Sequence, residues 1–241
     1  TWAGAASKIE LAAIQDPAPG GGQFLGPSLT GTPSAAGNGW VAFRTLITGG
    51  GTAEQIIGKN LAGVVTDEGS AFVVASIGQA APNVGDKSLG SFKQFLGRPT
   101  INANGDVAFT ATLTNSDVLD GDPNNPIPAG VFVYRRTADK TKRLRVVALS
   151  RDLYDGFGQL EFNLPIDPLD DSSGRDLVER TPAMNDAGDV AFAVSVVPQT
   201  TGTTTVGINS AAIFLASGGG RAVPVVKLTD TVAGQPFAAV G

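Results

Sequence analysis

Residues 99–109 read PTINANGDVAF, and the same pattern stands at 33–43 (PSAAGNGWVAF) and at 182–192 (PAMNDAGDVAF). Each copy runs from proline to phenylalanine and closes on Val-Ala-Phe. The closing residues Phe43, Phe109 and Phe192 stand 66 and 83 residues apart. From Val107 onward the chain alternates, with Val107, Phe109, Ala111 and Leu113 on one face and Ala108, Thr110 and Thr112 on the other. Val190, Phe192, Val194 and Val196 alternate in the same way. A period of two predicts a half-buried strand. Ahead of it, the side chain of Asn102 or Asn185 can accept a bond from backbone two residues on. Gly105 or Gly188 can then take a positive φ and close the turn. The first copy keeps Gly39 and Phe43 but has Ala36 in the asparagine's place.

Further blocks follow each copy. Ala62-Gly-Val-Val65, Ala129-Gly-Val-Phe132 and Ala211-Ala-Ile-Phe214 form one set; Val73–Ile77, Val146–Ser150 and Val225–Thr229 form the next. A looser set centres on Phe24, Phe95, Phe162 and Phe237. The expectation is one all-β repeat domain over 1–241, with three tandem four-stranded units at approximately 17–80, 81–150 and 151–229. Strand-bearing partial units at 1–16 and 230–241 form flaps at both termini. Such units suit β-propeller-like blades, with a β-sandwich or a stack of small sheets as the alternative. Unpaired outer strands recruit partners, so head-to-tail pairing with further copies of the chain is also expected.

The Asn-x-x-Gly-x-x-Ala-Phe pattern at Asn102–Phe109 and Asn185–Phe192 resembles the NxxGxxAF tandem-repeat family of bacterial surface and secreted proteins. The resemblance implies a surface location and supplies no catalytic residue, since the motif positions are turn and core positions.

Composition narrows the chemistry. The 241 residues include neither His nor Cys, which excludes a Ser-His-Asp triad, a thiol nucleophile, a Cys/His zinc site and an imidazole switch. A formal net charge of −5 argues against a nucleic-acid partner. Apolar runs such as Ala71–Ala75 are strand-sized, so no transmembrane segment is expected. With 32 glycines and 15 prolines, the chain is rich in turns. A surface rich in Thr, Gly, Asn and Ala and poor in Lys and Glu suits an extracellular or cell-surface protein.

Three clusters invite a functional reading. Asp120, Asp122 and Asn124 place oxygen ligands at alternate positions, as at the start of a calcium loop. Asn125 and Val131 stand where an EF-hand needs Gly and Glu, so only a looser calcium site or a polar hairpin tip remains. No other cofactor is expected. Asp167, Asp170, Asp171, Asp176 and Glu179 lie where the third unit exceeds the second. They suit a plain solvated loop, a ligand or cation contact, or the paired carboxylates of a glycoside hydrolase. Arg135, Arg136, Lys140, Lys142, Arg143 and Arg145 crowd into one hairpin. They suit a solvated turn, a contact with an acidic polysaccharide, or a contact with the acidic segment of another copy. The function expected from the whole is a non-enzymatic structural or adhesive repeat protein that self-assembles into fibres. A carbohydrate- or ligand-binding module and a carboxylate-based glycosidase are the alternatives.

Overall fold

The computed structural model describes residues 12–27, 32–49, 53–62, 70–114, 128–154, 158–162, 181–197, 199–201, 204–206, 210–218, 220–227, 231–232 and 235–236. The first sheet holds β1 (Gln23–Pro27), β2 (Ser34–Ala35), β3 (Trp40–Thr48), β4 (Ala53–Asn60) and β5 (Ala71–Ser76). Its order is β1-β3-β4-β5, with β2 also on β3. The second sheet is the meander β6 (Ser91–Ile101), β7 (Val107–Thr114), β8 (Ala129–Tyr134) and β9 (Leu144–Leu149). The third begins with β10 (Leu153–Tyr154), β11 (Gly158–Glu161), β12 (Ala183–Met184) and β13 (Val190–Val197). A separate hairpin, β14 (Gln199–Thr201) and β15 (Thr204–Val206), precedes β16 (Ser210–Ala216) and β17 (Val223–Lys227). That sheet runs β10-β11-β13-β16-β17, with β12 on β13. A last hairpin joins β18 (Thr231–Val232) and β19 (Gln235–Pro236). Neighbouring strands are antiparallel throughout. The helical pieces among the described residues are single 3₁₀ turns at Gly37–Gly39 and Lys140–Lys142. The protein is all-β.

The three Val-Ala-Phe segments enter β3, β7 and β13 in matching register. Phe43 lies opposite Ile57, Phe109 opposite Phe132 and Phe192 opposite Phe214. One expected strand changes place. In the first sheet the partner of Phe43 comes from Ala53–Asn60, not from Ala62–Val65. Strand β4 already begins at Ala53, and Ala62 lies in the turn that follows it. The terminal flaps divide similarly. Residues 12–16 carry no strand and 1–11 lie outside the described residues, whereas the C-terminal flap does carry the β18–β19 hairpin.

The sheets pack face to face. Ala42, Ile56 and Phe72 of the first sheet meet Phe92, Phe95, Phe109 and Phe132 of the second in one apolar cluster. Phe72 stacks on Tyr134 across that junction with ring centroids 5.4 Å apart. The reverse face of the second sheet, with Ala108, Val131 and Val133, meets Val190, Phe192, Val194 and Phe214 of the third. The second sheet is therefore covered on both sides. This overturns the expectation of a half-buried strand, because β7 is buried from Val107 through Leu113 and the whole of β8 is buried with it. Strands covered on both faces form near-continuous apolar runs.

The end sheets differ from each other. The outward face of the first, with Phe24, Phe43, Ile47 and Ile57, is buried in one cluster with Ala18, against which Ala12 packs. The outward face of the third lies open, with Leu153 at 50%, Ile213 at 41% and Val223 at 57% exposure.

Candidate functional site

The motif turns build the junctions between sheets. Asn102 Oδ1 accepts the backbone N–H of Asn104 and of Asp106, each at 3.0 Å. Asn185 Oδ1 accepts the N–H of Asp189 at 2.8 Å. Gly105 (φ +80°) and Gly188 (φ +83°) close these turns, as the sequence predicts. The turns also touch one another. Asn102 Nδ2 donates to the carbonyl of Asn185 at 3.2 Å, and Ala103 N–H donates to Asp186 Oδ1 at 2.8 Å. Asn104 Nδ2 donates to the Asp186 carbonyl at 2.8 Å. On the opposite side, a side-chain carbon at Gly37 would stand 3.7 Å from that of Ala103. The three copies of the sequence pattern thus lie side by side. Asn185 has no further turn to reach among the described residues, and its Nδ2 bonds back to Asp189 Oδ2 at 2.9 Å. That bond, with help from Ser217 and Gly218, holds the Asp189 carboxyl below its ordinary range.

The basic hairpin between β8 and β9 is divided in use. Arg135 Nη1 pairs with Asp106 Oδ2 at 3.1 Å, and its Nη2 donates to the Gly188 carbonyl at 2.6 Å. Arg136 donates from its backbone to Asp106 Oδ1 and from Nε to the Asn104 carbonyl. Its guanidinium lies 5.1 Å from the Trp40 ring centre, a cation–π contact between the first and second sheets. Arg143 is buried and donates to the Ala138 carbonyl and to the Tyr134 hydroxyl. Lys140, Lys142 and Arg145 are exposed. Half of the expected cationic run is therefore bracing. A fourth brace, Arg44, pairs with Glu54 at 2.7 Å and donates to the Gly97 carbonyl at 2.8 Å, joining the first sheet to β6. Sequence reading missed Arg44, Asp106 and Asp186, whose partners lie up to 83 residues away along the chain.

Beside this hairpin an open cleft of about 780 Å³ runs along β9. Val84, Leu144 and Val146 line it, together with Lys142, Arg145 and Arg221. At its end, Asp152 Oδ2 accepts the N–H of Leu149 at 3.0 Å. Burial pushes the Asp152 carboxyl above its ordinary value, against the opposing pull of that N–H and of Arg221. Arg221 Nη2 donates to the Leu153 carbonyl at 2.7 Å while its guanidinium covers the Tyr154 ring at 4.7 Å. Burial also raises the Tyr154 hydroxyl above its usual range. No sequence signal marks this cleft, because its walls come from β9 and four separate connections.

Asp120, Asp122 and Asn124 lie outside the described residues, as do Asp167, Asp170, Asp171, Asp176 and Glu179. Among the described residues no group of three or more acidic side chains is placed to hold a metal ion. No helix among them is long and apolar enough to cross a membrane.

Fold and junctions together define a class: an all-β protein of stacked antiparallel sheets. The chain belongs to DUF7453, a family of unknown function, whose model matches residues 1–235. No curated protein and no solved structure matches it.

Proposed function

We propose that this is a non-enzymatic structural or adhesive protein of the cell exterior, built from three tandem four-stranded units stacked like propeller blades. We place it with the NxxGxxAF repeat proteins on its turn motif. In this reading its work is self-association, head to tail, into regular assemblies. The observation that carries the reading is the outward face of the third sheet. Ala42 and Ala108 are buried beneath the following sheet, whereas Ala191, at the matching register position, is only partly covered. Around it, Ala193, Ile213 and Val223 face outward. An apolar sheet face left open is an association surface. The covered first sheet and the open third sheet give the chain two unlike ends, as head-to-tail addition requires.

Light scattering across a concentration series, with negative-stain electron microscopy, tests this. The expected result is growth of regular oligomers or fibres with concentration. A monomer that persists at the highest attainable concentration would overturn it.

A further inference from the structure

The geometry points to a peptide-binding groove along β9, taking an extended acidic segment as an added strand. The inference is independent of the assembly reading. Strand β9 closes the order β6-β7-β8-β9, so one of its edges has no neighbouring strand among the described residues. The cleft runs along this strand. A strand edge inside a groove offers backbone N–H and C=O groups to an extended chain, which is how strand addition gains its affinity.

The side chains then state which segment fits. Leu144 and Val146 pack on the cluster between the first and second sheets, and Val84 stands with them in the cleft wall. Arg145 lies opposite Val133 in register, on the face that meets the third sheet. Arg221 comes from the connection between β16 and β17, in the third sheet, and both arginines line the groove with Lys142. One wall is therefore aliphatic and the other cationic. An added strand shows alternate side chains to opposite faces. A segment alternating aliphatic and acidic residues satisfies both walls at once. Asp152 occupies the Leu149 N–H and so marks where pairing along the edge stops. A sugar polymer fits less well, because no aromatic side chain lines the groove for a ring to stack upon. The chain as a whole is acidic, at −5, so three cations against the one carboxylate of Asp152 make this groove a local reversal of its charge.

The test uses a fluorescent synthetic peptide alternating aspartate and valine, with anisotropy as the readout. A second peptide of the same sequence carries N-methyl groups at alternate positions, and alginate serves as a polyuronate competitor. Saturable binding of the parent peptide is expected, together with its loss on N-methylation. Arg145→Gln, checked for an unchanged circular dichroism spectrum, should weaken binding by up to about fivefold, the worth of one exposed charge pair. No binding of the parent peptide at millimolar concentration overturns the proposal, as does equal binding of the N-methylated one. Alginate binding without peptide binding would reassign the groove to polysaccharide. Unchanged affinity in Arg145→Gln would remove the cationic wall from the argument.

Discussion

Asp152 shows how one residue ties the packing of this protein to pH. Its carboxylate accepts the Leu149 N–H beside Arg221, yet burial outweighs both and raises its pKa in the fold. A carboxyl whose folded pKa lies above the unfolded one binds its proton more tightly in the native state. It therefore adds to stability at low pH, and that contribution is lost as pH rises from about 3.9 through the raised value. Asp152→Asn keeps an oxygen for Leu149 and removes the buried charge. The variant should melt at a higher temperature than the parent near neutral pH, and the gap should close on acidification toward pH 3. Thermal melts at a series of pH values read this directly. A gap independent of pH would mean the carboxylate charge contributes nothing.

At the scale of elements, the motif turn acts both as the start of a strand and as a coupling between sheets. Gly188 holds a φ of +83°, and a side chain there would collide with the Arg135 guanidinium. Gly188→Ala thus combines backbone strain with displacement of the bond from Arg135 to the Gly188 carbonyl. A loss of about 2–3 kcal/mol is expected, measured by urea unfolding. Gly78, also at positive φ but with open space around it, supplies the control, and Gly78→Ala should cost about 1–2 kcal/mol from strain alone. The first half of this behaviour was legible in the sequence. Asn-x-x-Gly ahead of an alternating run marks a turn and a strand because the constraint is local. The second half was not, since Arg135 reaches Asp106 and Gly188 across 29 and 53 positions. Burial of β7 on both faces was hidden for a different reason. Thr110 and Thr112 are each only 1% exposed, but threonine packs its methyl group in a core while remaining polar in any hydrophobic pattern. The misplaced second strand of the first sheet has a similar cause. Ile57 takes the place that Phe132 and Phe214 hold in the other sheets, and without an aromatic residue there the Ala62–Val65 stretch matches the repeat more closely in sequence.

Across the whole molecule, the direction of the stack decides what the protein can do. Phe109 and Phe192 face the preceding sheet, and Phe43 clusters with Ala18 beside Ala12. The opposite face of each sheet receives the next one, until the third, whose receiving face has no sheet upon it among the described residues. Ile213 sits on that face opposite Ala193 and Val226 and is 41% exposed. It therefore separates folding from association. Ile213→Asp should shift the stability of the isolated chain by about 0.5 kcal/mol or less, as surface substitutions generally do. In an assembly built through this face, the same change buries an unpaired carboxylate, and a penalty of several kcal/mol weakens association by roughly a hundredfold or more. Sedimentation velocity on parent and variant, with urea unfolding of both, distinguishes the cases. Loss of association at unchanged stability assigns the interface to the third sheet. Assembly that proceeds unaltered with aspartate at this position would place the contact at the chain's terminal segments or strand edges, leaving the open face as mere surface.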